Sequence, residues 1–260
     1  MDPMQERVCA YWGRRADEYG AARLRDVGSR KWEEWRGLIA AYLPGAADGR
    51  PIRALDLGTG AGFFAFLLRD LGCEATGIDY TAEMIENAVR NREELQLDGV
   101  TFLQMDAQDM AFEDESFDFI FSRNVTWTLP HPEKAYAEMV RVLAPGGRLM
   151  NVDANYGASF LRQDELGLTE QAVCDAPSPY AHPAKSREML RERNDIAESL
   201  SICGQNRPLW DAEVLTGLGM QRIYLDLNIQ LHAFGAEYYT PMQPGEGNPS
   251  PLFLVLAQKD

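Results

Sequence analysis

The chain has few of the residues that build metal centres, disulfide frameworks and nucleic-acid surfaces. Its four cysteines (Cys9, Cys73, Cys174 and Cys203) show no Cys-x-x-Cys or Cys/His spacing, so neither a zinc site nor a disulfide framework is predicted. Basic residues are scarce, because 25 Lys and Arg stand against 40 Asp and Glu, which gives a formal net charge of −15. This charge disfavours nucleic acid and anionic membranes as partners and favours a small molecule.

Long apolar runs are also missing. No stretch approaches the roughly 18 apolar residues of a membrane span. The first seven residues lack the basic-then-apolar pattern of a signal peptide. We therefore expect a cytoplasmic protein without a membrane partner. With 260 residues, 45% of them apolar, the chain is long enough to bury a sizeable core.

What the sequence does contain is a glycine-rich turn. An apolar run from Ile52 to Leu57 breaks into Gly58-Thr59-Gly60-Ala61-Gly62, and a helical pattern follows. Glycine adopts positive φ angles and lets a ligand approach the backbone closely. The helix N-terminus behind such a turn presents free N–H groups, and in parallel sheets this crevice holds cofactors. We predict a nucleotide-like cofactor over this turn.

One class that fits such a turn is the nicotinamide-dependent oxidoreductases. Their fingerprint G-x-G-x-x-G reserves for glycine the position that Phe63 occupies here. Asp56 precedes the turn, where it would repel a pyrophosphate but could interact with an ammonium group. Asp79 ends the second predicted strand, where a carboxylate accepts ribose hydroxyls in either kind of fold. Phe63 and Asp56 thus argue against a nicotinamide-dependent oxidoreductase, which remains as an alternative interpretation.

Further motifs follow the turn in order along the chain. They are Cys73 to Asp79 as a strand, Tyr80 to Met84 as a helix entry, Met105-Asp106-Ala107 at the end of a third strand, Phe117 to Ser122 as a fourth, and Arg141 to Leu149 as a helix and turn into a fifth. Across Arg53 to Asp153 this series resembles the class I S-adenosylmethionine-dependent methyltransferases. The resemblance implies S-adenosylmethionine as cofactor. A protein that binds this cofactor without catalysis remains a third interpretation.

The resemblance also implies roles for individual residues. Asp79 would accept the ribose hydroxyls, Tyr80 and Met84 would flank the adenine, and Asp106 with the backbone of Ala107 would bind its edge. The predicted cofactor-binding residues are Asp56, Gly58, Thr59, Gly60, Asp79, Tyr80, Met84, Asp106, Ala107 and Ser122.

Hydrophobic patterning predicts alternating strands and helices, hence a parallel sheet covered on both faces. The predicted elements are 52–57, 63–71, 74–79, 82–92, 100–105, 117–122, 132–143 and 147–153, then a helix at 210–218 and strands at 221–229 and 252–259. With the resemblance, the fold class is α/β, a Rossmann-like, seven-stranded, mostly parallel sheet whose last strand is antiparallel. Three parts are predicted: a helical amino-terminal cap (1–50), the cofactor-binding core (51–154 and 209–260) and a lid insertion (155–208) between strands 5 and 6. A lid excludes water from a reaction.

The cap is predicted to be helical over residues 5–43, broken by Gly13, Gly20 and Gly28. Its Tyr-Trp…Arg-Ala…Tyr arrangement resembles the element that closes the substrate pocket in many small-molecule methyltransferases. On this basis Tyr11 and Trp12 are predicted substrate residues, and Asn155 and Tyr156, which leave strand five, join them. We expect Trp32 and Trp35 to belong to the core instead.

Methyl transfer from a sulfonium requires collinear positioning and exclusion of water, and orientation alone contributes about 7–11 kcal/mol. An oxygen or nitrogen acceptor also calls for a base. The loop Ser122-Arg123-Asn124-Val125-Thr126-Trp127 borders the methyl group in the resembling family and is similar to a bacterial subgroup of it. The predicted catalytic residues are Asn124, Trp127, His131 and Tyr19.

For His131 a helix-start role and a base role are weighted equally, and His182 is interpreted as a solvated loop residue. No metal is predicted, because Ser122 stands where catechol-type enzymes carry an acid and a hard cation needs several oxygen ligands. Asp153 at the end of strand five is expected to shape the pocket floor. The acceptor is not predicted.

Overall fold

A seven-stranded sheet in the order β3-β2-β1-β4-β5-β7-β6 organises the molecule. This computed structural model describes residues 2–45, 49–156, 187–234 and 252–260. The strands are β1 (Arg53–Leu57), β2 (Glu74–Asp79), β3 (Val100–Gln104), β4 (Phe117–Arg123), β5 (Leu143–Asp153), β6 (Gln221–Asp226) and β7 (Phe253–Gln258). Strands β1 to β5 are parallel, and β7 runs antiparallel to both β5 and β6. The predicted fold class is confirmed.

Helices of the described residues flank this sheet. They are α1 (Pro3–Gly13), α2 (Ala16–Asp26), α3 (Arg30–Tyr42), α4 (Phe63–Asp70), α5 (Ala82–Glu94), α6 (Pro132–Val142), α7 (Arg187–Ser199), α8 (Leu209–Gly217) and α9 (Ile229–Phe234). None of them is long and apolar enough to cross a membrane. His182 and most of the predicted lid, residues 157–186, lie outside the described residues.

The core consists of two apolar layers, one on each face of the sheet. Successive residues of a strand point to opposite faces, so β4 contributes Phe119 and Phe121 to one layer and Ile120 to the other. Trp35 of α3 packs edge-on against Phe64 at 5.1 Å and belongs to the first layer. The prediction that Trp32 and Trp35 are core residues is confirmed.

Gly20 differs from its prediction. It lies inside α2 and does not end a helix. A Cβ atom on Gly20 would lie 2.7 Å from Oδ1 of Asn87 in α5. The small residue therefore serves close packing between two helices, a tertiary reason that a chain-local pattern does not reveal.

Two boundaries near the end of the sheet also differ. β5 begins at Leu143, four residues before its predicted start, because Leu143 already pairs with Phe117 of β4. β6 ends at Asp226, not at Ile229, because the Asp226 carboxylate accepts a hydrogen bond from the backbone N–H of Asn228 at 2.9 Å. This turn leads directly into α9, which was not predicted.

Candidate cofactor and acceptor site

The glycine turn lies between β1 and α4 and contacts the loop that follows β4. Gly58 has a φ of +67°, and a Cβ atom added to it would lie 2.2 Å from Cγ2 of Val125. Gly60 has a φ of +53°, and its added Cβ would lie 3.1 Å from Cε1 of Tyr19. Both positions therefore require glycine. Tyr19, a predicted catalytic residue, lies against the turn.

Asp79 at the end of β2 fastens this turn. Its Oδ2 accepts a hydrogen bond from the N–H of Gly60 at 2.9 Å, and its Oδ1 accepts one from the N–H of Thr81 at 2.9 Å. Burial raises the pKa of Asp79, and these hydrogen bonds oppose the rise. A carboxylate has about four lone-pair sites, so it can accept ribose hydroxyls beside these hydrogen bonds.

Asp56 is enclosed within the protein. It is 1% exposed, and the hydroxyl of Thr59 donates a hydrogen bond to its Oδ2 at 2.6 Å. Burial raises the pKa of Asp56 to about 7. In this structure Asp56 holds the shape of the turn through its hydrogen bond with Thr59. Its assignment to the cofactor site remains a prediction, in which Asp56 acts on the cofactor through the turn and not by direct contact.

The predicted adenine side carries four of the assigned residues. Met84 is buried, and its sulfur lies 3.9 Å from the Cβ position of Gly60. Asp106 accepts a hydrogen bond from the N–H of Gln108 at 2.8 Å, and Ala107 beside it is buried. Gln108 also donates to Gln5 of α1 at 2.6 Å, so α1 covers this side of the sheet edge. Tyr80 is half-buried next to Asp79.

His131 lies on this adenine side. Its backbone N–H donates to Oε1 of Gln108 at 2.8 Å, and its Nε2 lies 3.1 Å from Oδ2 of Asp2. It immediately precedes α6, whose first residue is Pro132. This geometry supports the helix-start interpretation, and the base role remains a prediction.

The end of β4 and the loop after it contain buried polar atoms that no described residue satisfies. Asn124 has a φ of +57°, and its Oδ1 is buried without a hydrogen-bond donor. The hydroxyl of Ser122 is likewise buried without a described partner. A buried polar group left unpaired costs about 1–3 kcal/mol, so these atoms suit a bound polar ligand.

An apolar cavity lies beside this loop. It is lined by Val8, Tyr11, Trp12, Trp127, Thr128, Arg193 and Ile196. The cavity holds ≈ 10 Å³, room for about one water molecule. Trp127 also packs on Tyr156 at 5.1 Å, and Asn155 donates to the carbonyl of Gln205 at 3.4 Å. The structure thus places Tyr11, Trp12 and Trp127 around one cavity and Tyr156 against the ring of Trp127.

A buried polar network beneath this loop was missed from the sequence. Arg207 Nη1 donates to Asp153 at 3.0 Å, its Nη2 to Thr126 at 2.7 Å, and its Nε to Asp211 at 2.9 Å. The hydroxyl of Tyr136 donates to Asp211 at 2.5 Å. Burial raises the pKa of Asp153 although Arg207 lowers it, and burial raises the pKa of Tyr136 well above its ordinary value. Burial lowers the pKa of Arg207, but its two carboxylate partners outweigh that effect and raise it.

The network explains the position of Asp153. Its carboxylate also accepts the N–H of Trp127 at 3.1 Å, so it holds the loop after β4 rather than standing at an open surface. Nothing in the local sequence marks Arg207, whose partners come from three separate elements. Among the described residues no group of three or more His, Cys, Asp or Glu could hold a metal ion.

Comparison with known proteins decides the family. A family model described as a methyltransferase domain matches residues 49–207. The chain belongs to the S-adenosylmethionine-dependent methyltransferases. The enzyme class and the cofactor that the motifs implied are thereby confirmed.

Three relatives among curated proteins illustrate the range of this family. The chain is 36% identical over 143 residues to a phosphatidylethanolamine N-methyltransferase of Cereibacter sphaeroides, covering 49% of this chain and 68% of the relative. It is 30% identical over 214 residues to a demethylmenaquinone methyltransferase of Renibacterium salmoninarum, covering 78% and 86%. A demethylmenaquinone methyltransferase of Thermus thermophilus matches over 48% of its own length. These names differ in acceptor.

Solved structures show the same fold. A methyltransferase of Thermotoga maritima, described as a possible histamine N-methyltransferase, matches 96% of this methyltransferase and 99% of its own chain with a TM-score of 0.56 and 19% identity. Phosphoethanolamine N-methyltransferase 2 of Haemonchus contortus, solved with S-adenosylhomocysteine, matches 86% and 52% with a TM-score of 0.57 and 18% identity. At these identities the likeness concerns the fold.

The residues of this methyltransferase fit the cofactor. The side chains of Tyr19 and Met84 flank the Cβ position of Gly60, the Asp79 carboxylate keeps acceptor capacity, and Asn124 offers a buried oxygen without a described donor. These groups lie at the carboxyl ends of β1, β2 and β4, which are neighbours in the sheet. This edge is the expected position of a cofactor in a parallel sheet.

Proposed function

We propose that this methyltransferase transfers a methyl group to a small-molecule acceptor by in-line displacement without a metal ion. The observation that carries the proposal is the position of one loop. Val125 packs against Gly58 of the glycine turn, and Trp127, two residues further on, lines the apolar cavity. The cofactor site and the cavity therefore share a wall.

In this mechanism S-adenosylmethionine supplies an electrophilic methyl group on a sulfonium. Asp79 and Gly60 hold the ribose end, Tyr80 and Met84 flank the adenine, and Asp106 and Ala107 bind its edge. The backbone around Gly58 and Asn124 bounds the end of the cofactor opposite the adenine. Holding both reactants at fixed positions contributes about 7–11 kcal/mol to lowering the barrier.

The cavity walls determine which acceptor fits. Tyr11, Trp12 and Trp127 present aromatic surface, and Val8 and Ile196 present aliphatic surface. An acceptor with an apolar or aromatic part is favoured by such a lining. The net charge of −15 supports a small molecule over nucleic acid. Aromatic faces next to the methyl group also attract a cationic sulfonium.

A lid completes the proposal. α7 lies within the predicted lid (155–208), and its Ile196 packs in a third apolar cluster, apart from the two layers on the sheet, that also contains Tyr11 and Trp127. Because the cavity has room for about one water, we propose that α1 and α7 separate to admit the acceptor and close to exclude water.

The test is calorimetry followed by an acceptor screen. We expect S-adenosylmethionine and S-adenosylhomocysteine to bind wild type, and Asp79→Ala to weaken both by about tenfold or more, equal to about 1.4 kcal/mol. Release of S-adenosylhomocysteine then identifies acceptors among lipid amines and quinols. Binding of NAD or NADP with no binding of either methyltransferase ligand would contradict the proposal.

A further inference from the structure

Gln108, in the loop after β3, joins α1 to the residue that precedes α6 through a single amide group. Its Oε1 accepts a hydrogen bond from the backbone N–H of His131 at 2.8 Å, and its Nε2 donates to Oε1 of Gln5 at 2.6 Å. A backbone N–H is always a donor, so the amide oxygen faces His131 and the amide nitrogen faces Gln5. The partners of Gln108 therefore determine the orientation of its amide group.

The same side chain is held by Asp106, the residue assigned to the adenine edge. Oδ1 of Asp106 accepts hydrogen bonds from the backbone N–H of Gln108 at 2.8 Å and from its Nε2 at 3.2 Å. Both bonds use one oxygen, and the other, Oδ2, keeps acceptor capacity for the exocyclic amine of adenine. A donor bound at Oδ2 restricts rotation of the carboxylate and so keeps Oδ1 directed at Gln108. Hydrogen bonds connected in this way strengthen one another.

A second contact joins His131 to the start of α1. Nε2 of His131 lies 3.1 Å from Oδ2 of Asp2. Oδ1 of Asp2 accepts the backbone N–H of Met4 at 2.8 Å and thereby caps α1. Gln5, one turn further on, is 8% exposed. The first turn of α1 is thus attached to the adenine side of the site both at its cap and at Gln5.

The remainder of α1 forms one wall of the apolar cavity. Val8, Tyr11 and Trp12 line that cavity. From Gln5 to Tyr11 the helix rises by about 9 Å, and a helix of this length transmits a shift of its first turn to the residues further along. The attachment of Gln5 to Gln108 therefore helps to set the position of the aromatic wall of the cavity.

We propose that Gln108 is a positioning residue that transmits occupation of the adenine site to α1. The inference rests on the proposed function, because it takes S-adenosylmethionine as the ligand of Asp106. An adenine amine bound at Oδ2 of Asp106 stabilises the contact between Gln108 and Gln5, and α1 then holds its aromatic residues in place around the cavity. Cofactor and acceptor therefore bind with positive coupling, and each raises the affinity for the other.

Hydrogen exchange of the α1 amides tests this coupling, because the exchange rate reports how often the helix opens. In wild type, saturating S-adenosylhomocysteine should slow exchange at Tyr11 and Trp12 by about tenfold or more, equal to about 1.4 kcal/mol. Gln108→Ala should remove most of this slowing at saturating ligand. Gln5→Ala breaks the same contact from the side of α1 and should have the same effect, so it decides the test where Gln108→Ala does not fold.

Arg7→Gln is the matched control, because Arg7 lies on α1 but pairs with Asp195 of α7 at 3.5 Å. It should speed exchange equally with and without the ligand and preserve the ratio seen in wild type. Unchanged α1 exchange in wild type that has bound the ligand would overturn the proposal. So would full slowing in both Gln5→Ala and Gln108→Ala, because protection by direct contact with the ligand survives these substitutions. If calorimetry shows that wild type binds no S-adenosylhomocysteine, the proposed function itself fails.

Discussion

Arg207 Nη1 donates a hydrogen bond to Asp153 Oδ2 at 3.0 Å across 54 residues of chain, with both side chains fully buried. Through this bond the segment that returns from the predicted lid is joined to the end of β5. Thr126 bonds both groups, so the loop that carries Asn124 and Trp127 is held by the same network. We therefore expect that the segment around Arg207 and the proposed active-site loop are ordered together, and that disrupting one disrupts the other.

Replacing Arg207 should be severely destabilising. In Arg207→Met the buried Asp153 and Asp211 lose their cation, and breaking a buried ion pair from one side costs about 3–5 kcal/mol. Urea unfolding should show this loss in the free energy of unfolding. Arg25→Met, on an exposed surface of α2, is the control and should change stability by about 0.5 kcal/mol or less. A loss below 1 kcal/mol for Arg207→Met would show that the network contributes little.

The sequence could assign residues to the proposed cofactor half of the site because those residues follow the ends of neighbouring strands at short spacings. The glycine turn, Asp79 and Met84 each follow a strand by a short spacing, and parallel topology brings strand ends to one edge. Packing of helices and buried polar partners do not follow from spacing. The sequence pattern predicts a helix break at Gly20, whereas this glycine serves the contact with Asn87.

The acceptor half was predicted less completely. A resemblance predicts Tyr11 and Trp12, the unusual residues after strand four predict Trp127, and the structure gathers all three around one cavity. Arg193 and Ile196 come from α7, whose position depends on tertiary contacts with α1. No periodicity in the chain predicts which residues of such a helix face a loop more than sixty positions earlier.

The buried carboxyl of Asp56 should make stability depend on pH. Its pKa is about 7 in the folded protein against an ordinary 3.8, so between these values the folded protein keeps a proton that the unfolded chain has released. The free energy of unfolding therefore falls as pH rises through this window. Asp56→Asn removes the effect, so its stability relative to wild type should rise by about 1.4 kcal/mol per pH unit near the middle of the window.

Equilibrium unfolding at several pH values measures this difference. Other titrating groups are shared by both proteins and cancel. Asp17→Asn is a control in which the pH dependence has the opposite sign. A hydrogen bond from Arg90 holds the pKa of Asp17 below its ordinary value, so this carboxylate stabilises the folded protein as pH rises. A constant difference between wild type and Asp56→Asn from pH 4 to pH 7 would contradict the assignment.

Gly58→Ala should damage the turn and the cofactor site together. The added Cβ would meet Cγ2 of Val125 at 2.2 Å, and the positive φ costs a further 1–2 kcal/mol, roughly, for a residue with a side chain. We expect lower stability and weaker binding of S-adenosylhomocysteine. The double variant Gly58→Ala/Val125→Ala should recover part of both losses, and purely additive effects would contradict the contact.

The substitution Asn124→Gly tests the contribution of the Asn124 side chain separately from that of its backbone conformation. Glycine keeps the φ of +57° without strain, so stability should change little. Removing the buried oxygen should lower cofactor affinity or turnover by about tenfold, equal to about 1.4 kcal/mol. Calorimetry and steady-state kinetics together assign the effect to cofactor or acceptor, and unchanged values in both would exclude Asn124 from the site.

The apolar cavity offers a comparison of Ile196, on α7, with Leu200, the residue that follows α7. Ile196 lines the cavity, whereas Leu200 is equally buried in the same cluster but does not line it. Truncating either residue to alanine should lower the free energy of unfolding by about 2–5 kcal/mol. Only Ile196→Ala should also enlarge the acceptor site and change KM for the acceptor that the screen identifies, with little change in the affinity for S-adenosylhomocysteine. If Leu200→Ala changed KM by the same factor, the acceptor would bind outside this cavity, and the wall that Trp127 forms between cofactor and cavity would have no part in catalysis.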